Sequence, residues 1–240
     1  MSNLWFNVYM MSNPYYLIGT IFVFIAAIIA IYAQVKVKST YARYKKVHNR
    51  RGMTGAQVAR EILDANGMSN VPVNRVSGEL TDHFNPGNMT INLSSDIYGG
   101  TSIAAMAVAA HECGHAIQHH TGYKPIRFRN AIVPIANVGN YVGWFAFFAG
   151  LILGYTKLAW FGFILMCGIL VFQIVTLPVE IDASKRGLAI LSSQYLAPDE
   201  YRGAKKMLQA AALTYVAAVL QVLASMLRLA LVLIGNSRDN

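Results

Sequence analysis

Residues 131–184, AIVPIANVGNYVGWFAFFAGLILGYTKLAWFGFILMCGILVFQIVTLPVEIDAS, decide what kind of protein this chain is. They hold two apolar runs, 131–154 and 158 to about 179, with only Tyr155, Thr156 and Lys157 between them. Each run reaches the roughly 20 residues that a helix rising about 1.5 Å per residue needs to cross about 30 Å of hydrocarbon. So short a connection predicts a transmembrane hairpin whose two outer ends return to one face of the bilayer.

Two further runs flank the hairpin. The first, about residues 15–34, carries Tyr15, Tyr16 and Tyr32 where aromatic belts sit. No positive charge precedes it and no small-residue cleavage pattern follows it, so it reads as a retained anchor and not a signal peptide. The last, about residues 210–235, is broken only by Gln221, Ser225 and Arg228, and Arg228 lies near enough to its end to snorkel. None of the four runs contains an acidic residue. Composition agrees: the chain is 55% hydrophobic and 13% charged, against roughly 25% charged in soluble domains. That excludes a soluble globule and a disordered chain. Two cysteines, Cys113 and Cys167, exclude a disulfide scaffold.

The net charge of +9 is distributed by topology. Twelve Lys and Arg residues fall between the first and second runs and five between the third and fourth; Lys157 and Arg238 alone fall on the other side. The positive-inside rule then puts both large loops in the cytoplasm and both termini outside. A nucleic-acid partner is not expected, because the basic cluster in residues 36–51 hugs a membrane exit, where anionic lipid attracts it.

The loop from 36 to about 130 is long enough for a small core. Thr54-Gly55-Ala56-Gln57 is a capping-box pattern opening an amphipathic helix with Val58, Ile62 and Leu63 on one face, stopped by Asn66-Gly67. Residues 71–76 and 89–93 read as short strands, with Asn85-Pro86-Gly87-Asn88 as a turn between them, and the chain turns helical again from Ser102. The expected fold is a mainly α membrane protein with about four transmembrane helices and a small α+β cytoplasmic domain. Its segments are an N-terminal anchor (1–35), the α+β domain (36–130), the hairpin (131–179), a cytoplasmic helical segment (180–209) and a C-terminal transmembrane helix (210–240).

The helix after Ser102 carries His111-Glu112-Cys113-Gly114-His115, an H-E-x-x-H motif. Histidines four apart share one helical face, so both rings reach one zinc while the glutamate addresses the water that the metal activates. Zinc acidifies that water and polarises the scissile carbonyl, and the carboxylate takes the proton and returns it to the leaving amine. Cys113 falls on the opposite face, as a packing residue. The alternative, two solvent-facing histidines on an ordinary helix, fits poorly with the apolar run of residues 104–110 before them.

A catalytic zinc needs a third protein ligand and an open position. His119 stands about 12 Å in rise from His111, too far along one helix. The longer H-E-x-x-H-x-x-G-x-x-H pattern fails, with Gln118 in the glycine position and Thr121 in that of the third histidine. Glu180 is the strong candidate, because the hairpin returns it to the face that residues after His115 leave; the competing reading is an interfacial carboxylate paired with Lys185 or Arg186.

The segments Leu80-Thr81-Asp82-His83-Phe84-Asn85-Pro86, Ala110 through Gln118 and Leu177 through Ser184 resemble the YugP-like neutral zinc metallopeptidases of bacterial membranes, over nearly the whole chain. The resemblance implies a protease of the bacterial plasma membrane, distantly similar to HtpX and the CAAX-prenyl-protease gluzincins, with one zinc per chain held by His111, His115 and Glu180 and with Glu112 as base. In that class the third ligand sits in E-x-x-A-D. Here Glu180 and Ala183 match, Ser184 takes the aspartate position and an acid appears earlier, at Asp182, so either Asp182 or Ser184 is expected to support a zinc histidine.

For the oxyanion, His83, Arg186 and Tyr195 are the available donors. Residues 89–93 are expected either to accept an extended substrate by strand addition or to be plain sheet core. Two rival functions are a non-catalytic zinc scaffold and an intramembrane site-2-type protease. The first lacks a fourth Cys or His at suitable spacing; the second needs a spanning helix, whereas about nine uncharged residues precede His111. The expected partners are the lipid bilayer and a peptide or membrane-protein substrate.

Overall fold

The computed structural model describes residues 14–238; both termini, expected outside the membrane, lie beyond the described residues. Seven helices and three strands follow in the order α1 (Pro14–Tyr44), α2 (Gly55–Ala65), β1 (Val73–Val76), β2 (His83–Asn85), β3 (Thr90–Ser94), α3 (Ser95–Tyr98), α4 (Ile103–His120), α5 (Lys124–Ile152), α6 (Thr156–Gln194) and α7 (Pro198–Arg238). Among the described residues α1, α5, α6 and α7 are long and apolar enough to cross a membrane. The chain is therefore mainly helical, with four membrane-length helices and one small sheet.

It divides into two compact units. One comprises Met1–Tyr32, Phe128–Thr176 and Tyr215–Asn240. Its core gathers Phe147, Ala159, Met166, Met226, Leu229 and Leu233. Inside it α5 and α6 approach so closely that a Cβ on Gly162 would meet the Phe147 Cα at 2.9 Å. Small residues at a helix contact are how apolar helices associate where water supplies no driving force.

The other unit, Ala33–Arg127 with Leu177–Thr214, carries the chemistry-bearing residues. Helix α2 starts as its sequence requires: the Thr54 hydroxyl accepts from the Gln57 N–H at 3.2 Å, and the Gln57 side chain accepts from the Thr54 N–H at 2.8 Å. Its buried face is Val58, Ala59, Ile62 and Leu63. Helix α4 is capped by Ser102, whose hydroxyl accepts from the Ala105 N–H at 3.1 Å. Every residue of α4 except His111, His119 and His120 is buried, which explains the alanine run: only small side chains admit neighbours on all sides of one helix.

The sheet has the order β1-β3-β2, with β1 parallel and β2 antiparallel to β3. Strand β2 was not anticipated, being three residues long. Pinning makes up for its shortness: the Asp82 carboxylate accepts from the Ser94 N–H at 2.7 Å and its hydroxyl at 3.1 Å. Burial holds the Asp82 carboxyl above the usual carboxylate range despite these bonds. The turn 86–89 joins β2 to β3, and its last residue, Met89, has φ 54°. The expectation of strand addition at residues 89–93 is corrected here. Strand β3 is central, fully buried and paired on both sides, so it has no free edge to offer; β1 and β2 are the edge strands.

Candidate metal centre

Two helices build the centre. His111 and His115 project from α4, one turn apart, with ring centroids 4.7 Å apart in an edge-on arrangement. Glu180 arrives on α6, and its Oε2 lies 3.4 Å from His111 Nε2 and 3.3 Å from His115 Nε2. Side-chain exposure is 13% for His111, 10% for His115 and 4% for Glu180. Among the described residues these three form the group of His, Cys, Asp or Glu whose ligand atoms converge, all within 4.8 Å of one another.

The donor set fits zinc. Ligands about 2.1 Å from a tetrahedral centre stand about 3.4 Å apart, the separation found between each imidazole and the carboxylate. Three protein donors of N, N and O type leave one position open, as in catalytic sites and unlike structural ones.

The far ring nitrogens are held as well. His111 Nδ1 lies 3.0 Å from the Ser184 hydroxyl. His115 Nδ1 lies 3.0 Å from Gln118 Oε1. The Gln118 amide is oriented without ambiguity, because its Nε2 donates to the Val179 carbonyl and to Asp182 Oδ2, both at 2.8 Å. Its oxygen therefore faces His115, which must donate from Nδ1 and keeps the Nε2 lone pair for the centre. Asp182 in turn accepts from Arg186 Nε at 2.6 Å, and the Arg186 guanidinium lies over the Tyr123 ring, 5.4 Å from its centroid. Burial opposes charge on His115, but the Glu180 carboxylate outweighs it, and the imidazole is held above its ordinary range.

Why α4 and α6 come this close is written in small residues. A Cβ on Gly114 would meet the Ala183 Cα at 3.0 Å, and one on Gly187 would meet the Ala110 carbonyl oxygen at 2.7 Å. The pairs Ala110/Gly114 and Ala183/Gly187 are each four residues apart, one turn on each helix, and form the crossing on which the three donors depend.

Glu112, 6% exposed, points its carboxylate at edge strand β2: Oε2 accepts from the Phe84 N–H at 2.8 Å. The Phe84 ring packs on His119, 6.0 Å between centroids, so His119 braces β2 and is not part of the converging group. Cys113 faces the other way and donates to the Ala59 carbonyl at 3.6 Å; burial pushes its thiol up, out of the reactive range.

Of the three oxyanion candidates, two are engaged with other partners. His83 has both ring nitrogens engaged, Nδ1 with the Thr81 carbonyl at 2.9 Å and Nε2 with the Asn92 amide nitrogen at 3.2 Å. The carbonyl must accept, so Nδ1 carries the proton and Nε2 has no N–H to offer. Tyr195 is a core residue, 7% exposed, beneath the Arg51 guanidinium at 5.5 Å from its centroid. Burial and the nearby Glu61 carboxylate push its phenol up. Arg186 stays beside the centre's hydrogen-bond chain. Sequence reasoning assigned no part to Gln118 or to the Phe84 N–H; the signal for the first was its position three residues after His115, and none existed for the second. Arg186, one of the two partners named in the competing reading of Glu180, pairs with Asp182.

Residues 19–234 match the family described as "Putative neutral zinc metallopeptidase". The chain belongs to this zinc metallopeptidase family. It is also 44% identical over 222 residues, 92% of this chain and 99% of the relative, to the "Putative membrane protease YugP" of Bacillus subtilis (strain 168). No solved structure matches it. The His111, His115 and Glu180 group lies within the matched segment, in a chain whose described residues hold four membrane-length apolar helices.

Proposed function

We propose that this protein is a membrane-integrated zinc endopeptidase of the gluzincin type, with one zinc held by His111, His115 and Glu180 and its zincin-like catalytic unit at the cytoplasmic surface of a bacterial plasma membrane. The observation that carries the reading is the convergence of two Nε2 atoms on one carboxylate oxygen at 3.4 and 3.3 Å, the separation of tetrahedral zinc donors, one residue from a glutamate held by a backbone N–H. Bound there, zinc supplies Lewis acidity, lowering the pKa of water and polarising a carbonyl.

The chain's own residues do the rest. Glu112 takes a proton from the attacking water and returns it to the leaving amine. The Phe84 N–H fixes that carboxylate, so little reorientation is needed when the proton moves. Ser184 and the Gln118–Asp182 pair hold the imidazoles in rotamer and tautomer. Arg186, anchored on Asp182, is the residue we assign to the oxyanion. The rival intramembrane reading draws no support from α4, which among the described residues is not one of the membrane-length apolar helices. The basic bias of the loops supports a cytoplasmic catalytic unit, with peptides or membrane proteins at the inner leaflet as substrates.

The test is metal analysis with peptide hydrolysis on purified wild type, Glu112→Gln and Glu180→Ala. Glu112→Gln is expected to keep zinc and lose hydrolysis, and Glu180→Ala to lose zinc. Hydrolysis by Glu112→Gln at the wild-type rate would defeat the assignment. Cysteine labelling within residues 36–53, expected from the cytoplasmic side only, tests the orientation.

A further inference from the structure

Within the unit that holds the metal centre, α6 and α7 line a half-open cavity of about 580 Å³, in the size range of small-molecule sites. Its wall is apolar along Ile181, Leu208 and Ala212 and basic at Lys185 and Lys205, and no Asp or Glu lines it. Both lysines are exposed. Ser184, which meets His111, also lines it.

Position along the helices says what such a cavity would hold. Lys185 follows the end of the third apolar run by six residues, about 9 Å of helix, and Lys205 precedes the fourth by five, about 7.5 Å. The polar headgroup layer extends about 5–8 Å beyond the hydrocarbon on each side, and lysines reach several ångströms along their stems. Both ammonium groups thus reach phosphate depth, while Ala212 belongs to the apolar run itself. We infer that the cavity is a binding site for an anionic phospholipid, with the headgroup phosphate between Lys185 and Lys205 and the first acyl methylenes against Ile181, Leu208 and Ala212. The site rests on the proposed membrane integration and not on peptidase activity, so loss of hydrolysis leaves it standing. A peptide would not need its charge at this fixed depth; a lipid does.

The experiment titrates the purified full-length protein in neutral detergent with short-chain phosphatidylglycerol, short-chain phosphatidylcholine and inorganic phosphate, following the unfolding temperature. Saturable stabilisation by phosphatidylglycerol alone is expected. Lys185→Gln with Lys205→Gln should weaken it about thirtyfold, the equivalent of roughly 1 kcal/mol for each cation near an anionic headgroup. Lys206→Gln, an exposed lysine outside the lining, should leave it unchanged and controls for net charge. Equal stabilisation by phosphatidylcholine, equal stabilisation by phosphate alone, competition by an acidic apolar peptide at matching affinity, or a double variant that still binds as wild type would each overturn the assignment.

Discussion

Replacing Gly187 by alanine tests whether the helix crossing sets the metal centre. The added Cβ would stand 2.7 Å from the Ala110 carbonyl oxygen and 2.8 Å from its carbon, where ordinary contact begins at 3.4 Å. The partner atoms are backbone of α4, so the helices must separate by about 0.7 Å, since neither helix backbone yields easily. Glu180 rides on the same helix, two turns away. Such a shift stretches its 3.3 and 3.4 Å donor separations toward 4 Å, beyond what about 2.1 Å metal bonds span at a tetrahedral angle. Overpacking costs about 1–3 kcal/mol, and the gain in helix propensity returns about 1 kcal/mol, so the fold is expected to survive with at most about 2 kcal/mol lost. Zinc affinity is expected to fall about 10–100-fold, the range found when ligand support is disturbed. Competition with a chromophoric chelator measures the affinity, and thermal unfolding measures the fold. Gly168→Ala is the control: it adds the same methyl to the same helix, where the nearest partner, the Ala136 Cα, is at an ordinary 3.8 Å. A folded Gly187→Ala protein with zinc affinity within twofold of wild type would refute the reasoning.

Three other outcomes are expected. Gln118→Leu leaves the His115 Nδ1–H without its acceptor and should weaken zinc about 10–100-fold while the protein stays folded, read by the same chelator competition. Because His115 is held above its usual range in the zinc-free protein, its charged form contributes stability that is fully present below the unfolded value of about 6.5 and is lost as pH rises through the raised folded value; zinc must displace that proton, so zinc-induced stabilisation in thermal melts should grow from about pH 5.5 to 8. A flat profile would show that this proton is not displaced. Tyr195→Phe should leave zinc binding and hydrolysis unchanged and cost up to about 1 kcal/mol in denaturant unfolding, since its phenol serves the core near Glu61 and not the centre; a large loss of turnover would restore it to the site.

Much of this was legible because it is local. A span announces itself by length and apolarity, and two histidines at i and i+4 are committed to one face by the helical repeat. The capping box at Thr54 and Gln57 and the turn of Cys113 away from the centre followed from the same periodicity. Strand β2 was not legible: three residues hold no period, and its place depends on the Asp82 carboxylate meeting Ser94 across the sheet. The expectation that residues 89–93 offer an edge failed for a related reason, since a strand's position in a sheet is a property of its neighbours, and both sides of β3 are paired.

The amino-acid sequence alone determined the four membrane-length helices, the pair of histidines with a glutamate between them, and Glu180 as the candidate third donor after a short hairpin, because each depends on spacing along one helix or one short turn. Tertiary structure decided that His111, His115 and Glu180 share one centre, that Gln118 and not Asp182 meets His115, that a backbone N–H from β2 holds Glu112, and that Tyr195 stands apart. Those relations join residues distant in the chain, and their distances are fixed by how closely two backbones pack where Gly114 and Gly187 leave room, a quantity that no local period contains.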